Sequence, residues 1–75
     1  MDSALIARLQ KALHDRPAGR FHFRDLYGTG WEDLDIGTRV RLGHAFLDLV
    51  REGAFRNVVD CGVKKGGGRL YEKRS

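Results

Sequence analysis

One cysteine, Cys61, occurs in these 75 residues, so no disulfide forms within the chain. A short chain without a disulfide staple fits a reducing cytoplasm, which is where we expect this one to work. Proline is equally scarce, with Pro17 alone. No stretch approaches the ~20 apolar residues of a membrane span, and the first residues lack the long apolar run of a signal peptide. Membrane contact is therefore not expected. Metal-ligand spacing is missing too: His14, His22, His44 and Cys61 fall on separate elements, with no C-x-x-C or H-x-x-x-H pair. Glycines 66–68 are followed by Arg69-Leu70 and not by the Lys-Ser/Thr pair of a phosphate-binding loop. Cys61, in a stretch that reads as a strand with no motif around it, behaves first as a small hydrophobe.

These absences bound the function. A chain of this length makes one domain, residues 1–75, and buries only ~60% of the surface its unfolded form exposes. It has little room for a substrate pocket of roughly several hundred cubic ångströms. We expect no catalysis, no metal and no cofactor. Hydrophobic residues make up 41% of the chain, which is ordinary for a globular fold.

The net charge of +4 is unevenly placed. Residues 1–60 carry nine basic and nine acidic side chains. Beyond them stand Lys64, Lys65, Arg69, Lys73 and Arg74 against Glu72 alone. The whole excess lies in that last segment, and such a local positive end faces a polyanion, an acidic protein surface or water.

Leu5, Leu9, Ala12 and Leu13 recur at helical spacing and predict a helix from Ser3 to about His14. Asp2 or Ser3 caps it, and Pro17 and Gly19 stop it. Arg20-Phe21-His22-Phe23 alternates as a short strand does. Arg24 to Tyr27 reads as a short helix ended by Gly28-Thr29-Gly30, and Trp31 to Leu34 as a further turn. The longest helix runs from about Ile36 to Arg51, with Asp35 as N-cap and Gly53 as the left-handed stop. On it, Ile36, Val40, Gly43, Leu47 and Val50 form one apolar stripe, widened by Leu42, Phe46 and Leu49, which we expect to be buried. Gly43 inside that stripe costs ~1 kcal/mol relative to alanine. Close approach by another backbone or by the Trp31 ring explains it most simply. After Gly53, Phe55 to Val63 and Arg69 to Lys73 form two strands joined by the glycine run. Helix, short strand, short helix, long helix and a two-stranded hairpin wing is the order of an α+β winged helix-turn-helix.

The central stretch also resembles a family of small bacterial proteins known as a domain of unknown function. The matching residues are Phe23, Asp25-Leu26-Tyr27, Trp31, Leu34, Gly37, Arg39, Leu42-Gly43, Phe46 and Val50. The resemblance implies a winged-helix-like fold and brings no activity with it.

Residues then divide between core and surface. Phe21, Phe23, Trp31, Phe46 and Phe55 read as core, and Tyr71 as the exposed aromatic. Subtracting the apolar stripe leaves Gly37, Thr38, Arg41, His44, Ala45 and Asp48 toward solvent, with Arg39 at the flank. In a helix-turn-helix the start of the second helix enters the major groove. Thr38, Arg39 and Arg41 are thus the candidates for base and phosphate contact, arginine matching two guanine acceptors at once. Lys64, Lys65 and Arg69 flank the glycine turn, where a bare backbone and cations suit a phosphate chain. The plainer reading of each is a solvated side chain.

Two functions follow. The first is a small regulatory protein binding double-stranded DNA through Thr38, Arg39, Arg41, Lys64, Lys65 and Arg69. It needs a homodimer or a partner for specificity, and Leu5, Ile6 and Leu9 offer a dimer seam. Against it stand Glu32, Asp33 and Asp35, which favour the helix dipole but repel phosphate. The second is a protein-interaction adaptor that uses the same fold without DNA.

Overall fold

Helix α1 (Ser3–Asp15) opens the fold in a computed structural model that describes residues 1–74. Asp2 caps it, its carboxylate accepting from the Leu5 N–H at 2.8 Å. Strand β1 (Gly19–His22) and the short helix α2 (Phe23–Tyr27) follow without a gap. Phe23, read from the alternation as the end of the strand, instead begins α2 and is buried. Its ring is needed in the core, and the His22 N–H donates to the Asp25 carboxylate at 3.3 Å, which turns the chain into the helix. A 3₁₀ turn, Trp31–Asp33, leads to helix α3 (Ile36–Arg51).

Helix α3 ends as predicted. Gly53 has φ +82°, its N–H donates to the Val50 carbonyl, and the Ala54 N–H donates to the Leu49 carbonyl. Those two bonds are a Schellman stop, which satisfies carbonyls the helix leaves open.

Strands β2 (Val58–Lys64) and β3 (Arg69–Lys73) form the hairpin. Gly66 and Gly67 both have positive φ, the combination of the two-residue type I′ turn that matches strand twist. Strand β1 joins the hairpin, giving a three-stranded antiparallel sheet in the order β1-β3-β2. Phe21 pairs with Tyr71 and Asp60 pairs with Tyr71 from the other side. Between Asp60 and Lys64 the β2 register shifts, with Gly62 at φ +75° in the irregular stretch. The whole is a winged-helix-like α+β arrangement.

The core lies where α1, α2 and α3 meet one face of the sheet. Phe46 is fully buried, stacked on Phe23 at 4.6 Å and edge-on to Tyr71 at 4.9 Å, with Phe55 at 5.3 Å. Leu9 and Leu13 close it from α1. Removing a phenylalanine ring from such a site costs about 3–5 kcal/mol, a large share of the roughly 4–11 kcal/mol expected of a domain this size.

Three expectations are corrected by this packing. Tyr71, read as exposed, is 2% exposed, because its strand is the central one and its ring lies between Phe21 and Phe46. Burial pushes its hydroxyl up to about 12. Leu9, read as part of a dimer seam, is fully buried within the chain, with Leu5 and Ile6 half-buried beside it. On α3 the C-terminal part of the expected stripe is buried and its N-terminal part is not. Phe46 and Val50 are buried, supported by Leu42, Leu47 and Leu49, while Ile36 is 75% and Val40 54% exposed.

Candidate functional site

The outward stripe of α3 faces the hairpin across an open cleft of about 840 Å³. This is more room than a 75-residue chain promised, because the space lies between elements and not inside the core. One wall is α3, where Ile36, Val40, Gly43 and Leu47 stand beside Arg39 and His44. The floor holds Phe23, Trp31 and Tyr71. The opposite wall is the hairpin, with Lys64, Lys65, glycines 66–68 and Arg69. No Asp or Glu side chain lines the cleft.

Gly43 sits at this opening. A Cβ built on it meets no heavy atom within 4 Å, so neither a second backbone nor the Trp31 ring explains the glycine. Trp31 instead packs edge-on against Phe23 at 5.6 Å and Tyr27 at 5.5 Å, half-buried.

Of the six predicted contact residues, Arg39, Lys64, Lys65 and Arg69 line this cleft, while Thr38 and Arg41 do not. Arg39 turns back under the 3₁₀ turn. Its Nε donates to the Trp31 carbonyl at 3.2 Å, and its Nη2 donates to the Glu32 carbonyl at 3.1 Å and meets the Glu32 carboxylate at 3.4 Å. Its guanidinium also lies 5.7 Å from the Trp31 ring centroid. Arg69 is similarly engaged, with Nη1 at 3.1 Å from both oxygens of Asp60. The Gly62 N–H and Arg69 together hold the Asp60 carboxyl below the usual carboxylate range, and Arg51 stands 3.8 Å away.

Thr38 donates its hydroxyl to Asp35, which lowers that carboxyl, and accepts from Arg41 Nη2 at 3.4 Å. Asp35 occupies the N-cap position of α3. Arg41, Lys64 and Lys65 are exposed. Sequence reasoning missed Arg24 and His22. Arg24 Nη2 donates to the Gly66 carbonyl at 3.0 Å, and His22 Nδ1 donates to the Arg69 carbonyl at 3.1 Å. These two side chains tie the wing to the β1–α2 junction, so the cleft is held open by bonds and not by a free hairpin. Their separation of more than 40 residues from the wing left no local signal in the sequence.

Lys73, another member of the positive end, points away from the cleft. Its Nζ donates to the carbonyls of Leu13, His14 and Arg16 at the end of α1. Among the described residues, no group of three or more His, Cys, Asp and Glu side chains is placed to hold a metal, and no helix is long and apolar enough to cross a membrane.

The chain belongs to the family described as a domain of unknown function, DUF1413, whose profile matches residues 7–73. The resemblance of the central stretch pointed to such a family. Comparison with curated proteins and with solved structures gives no match.

Proposed function

From that membership and this face, we propose that the domain is a non-catalytic binding module that docks another protein along the cleft between α3 and the β2–β3 hairpin. The observation that carries the reading is the exposure of Ile36 at 75% and Val40 at 54% on the helix that borders the cleft. Burying an isoleucine or valine side chain gains about 1.5–3 kcal/mol, and two such residues side by side beside Trp31 favour a partner that removes them from water. Arg39 and Arg69 support the same reading, because each already holds a carboxylate of this chain. Glu32, Asp33 and Asp35, all exposed at the start of α3, would repel a phosphate chain there.

Duplex DNA is the second reading, as a regulatory module, and Lys64 and Lys65 favour it. Both are exposed beside the type I′ turn, where a wing meets a backbone. In this reading Arg41 and Thr38 at the start of α3 approach the groove.

An anisotropy titration of a labelled random duplex of ~20 base pairs, across several salt concentrations, separates the readings. DNA binding through three to five phosphates gives a log–log salt slope of about −3 to −5. The docking reading expects a shallower slope and weak binding. It also expects an Ile36→Ser/Val40→Ser variant to lose a partner that the parent chain retains on pull-down. Tight, salt-steep duplex binding that the double variant keeps would overturn the docking reading.

A further inference from the structure

We infer that the cleft receives an amphipathic helix of another protein, with its apolar edge along α3 and its acidic flank toward the hairpin. The inference rests on the docking reading above and gives the partner its chemistry.

The helical form comes from α3. Its outward apolar positions, Ile36, Val40, Gly43 and Leu47, are spaced by four, three and four residues. That is the seam by which one helix meets another along its length, here over roughly 16 Å at 1.5 Å per residue. Gly43 lies in the middle of the seam with open space over its Cβ position. A second helix can therefore approach there at the short end of the usual ~8–10 Å interaxial range. An extended peptide has no comparable berth. It would have to add to a free sheet edge, either the four-residue β1 or the outer side of β2, where the register shift and the positive φ of Gly62 interrupt the ladder.

The acidic flank comes from the facing wall. Arg24, Lys64 and Lys65 border the cleft, and among the described residues no Asp or Glu does. Arg24 is fixed by its bond to the Gly66 carbonyl, so the wing presents its lysines from a held position. A second copy of this chain suits the wall poorly. Its α3 would bring Arg41 and His44, which flank the same stripe, toward Lys64 and Lys65.

The experiment uses the full chain with labelled methyl groups and two synthetic helical peptides of about 18 residues, long enough to hold helix alone. Both carry the same leucine seam; one is flanked by glutamate and its twin by lysine. The glutamate peptide should shift the Ile36, Val40 and Leu47 methyl signals and bind about tenfold more tightly than its twin, a difference expected of a few ion pairs. A Lys64→Glu/Lys65→Glu variant should reverse the preference. Equal binding of the twins in the cleft would overturn the acidic flank while leaving the docking reading intact. Binding of neither peptide would overturn the helix, and if duplex DNA alone moved those methyl signals the docking reading would fall with it. Shifts that grow with protein concentration and no peptide would assign the cleft to a second copy and overturn the inference.

Discussion

The guanidinium of Arg69 and the carboxylate of Asp60 face each other across the β2–β3 pair, with Nη1 3.1 Å from each oxygen. Asp60 also accepts the Gly62 N–H at 2.9 Å, so one side chain both holds the wing's base and shapes the irregular stretch of β2. The positive end of the chain is therefore only partly available to a ligand.

This pairing has a pH signature. Asp60 lies below its ordinary value of 3.8 in the fold. Its contribution to stability is complete above the unfolded value and is lost as pH falls through the depressed folded one. Asp60→Asn should cost about 1 kcal/mol at neutral pH. In urea unfolding, the gap between parent and variant should close as the pH is taken from about 5 to about 2.

Tyr71 marks the alkaline side. Its folded value of about 12 exceeds the ordinary 10.0, so the unfolded chain ionises first. Stability from the neutral phenol is full below the lower value and falls as pH rises from one to the other. Tyr71→Phe should flatten that part of the pH–stability curve relative to the parent, with both chains followed by circular dichroism.

Lys73 provides a test away from the cleft. Its ammonium meets carbonyls that the last turn of α1 leaves open, at the negative end of that helix. Lys73→Met keeps the apolar stem and removes the donor. We expect a loss of about 1–2 kcal/mol, read as a drop in Tm of about 4–15 °C. Binding in the cleft should be unchanged.

Two glycines should respond in opposite directions. Gly43→Ala adds a methyl group in open space on α3 and should stabilise the fold by up to ~1 kcal/mol. Gly53→Ala forces φ +82° on a residue with a side chain and should destabilise by about 1 kcal/mol. Thermal melts of the two variants check both signs.

Arg39 and Arg41, two positions apart, should also separate. Arg39→Ala removes the guanidinium donor from the Glu32 carbonyl and from the Trp31 carbonyl, which keeps only the Leu34 N–H, and uncovers the indole. A loss of about 1–3 kcal/mol and a changed Trp31 emission are expected. Arg41→Ala, on an exposed side chain, should stay within about 0.5 kcal/mol of the parent.

Element order was readable because its punctuation is local. Asp2, Pro17 and Gly19 bracket α1, Asp35 and Gly53 bracket α3, and Gly66-Gly67 make the turn. That Ile36 and Val40 stay outside the core was not readable. The apolar band is wider than the core can cover, and periodicity does not say which part stays outside; only the positions of Phe23, Phe55 and Tyr71 around Phe46 decide it. The candidate site suffered for the same reason. Arg39 and Arg69 were recognisable as cations near the right elements, but their partners depend on a chain reversal that brings Glu32 and Asp60 beside them. Tyr71 was misplaced because β1, far earlier in the chain, makes its strand the central one.

That central strand governs the order in which the molecule can be made. A ribosome delivers β1 and β2 before β3, yet in the sheet each of them is bonded to β3. Until residues 69–73 emerge, the growing chain is three helices with two unpaired strands, and Phe46 lacks the Tyr71 ring that covers it. A nascent chain stalled short of β3 would expose its aromatic cluster to chaperones and proteases. Folding is then a single late event, completed only when β3 reaches the other two strands.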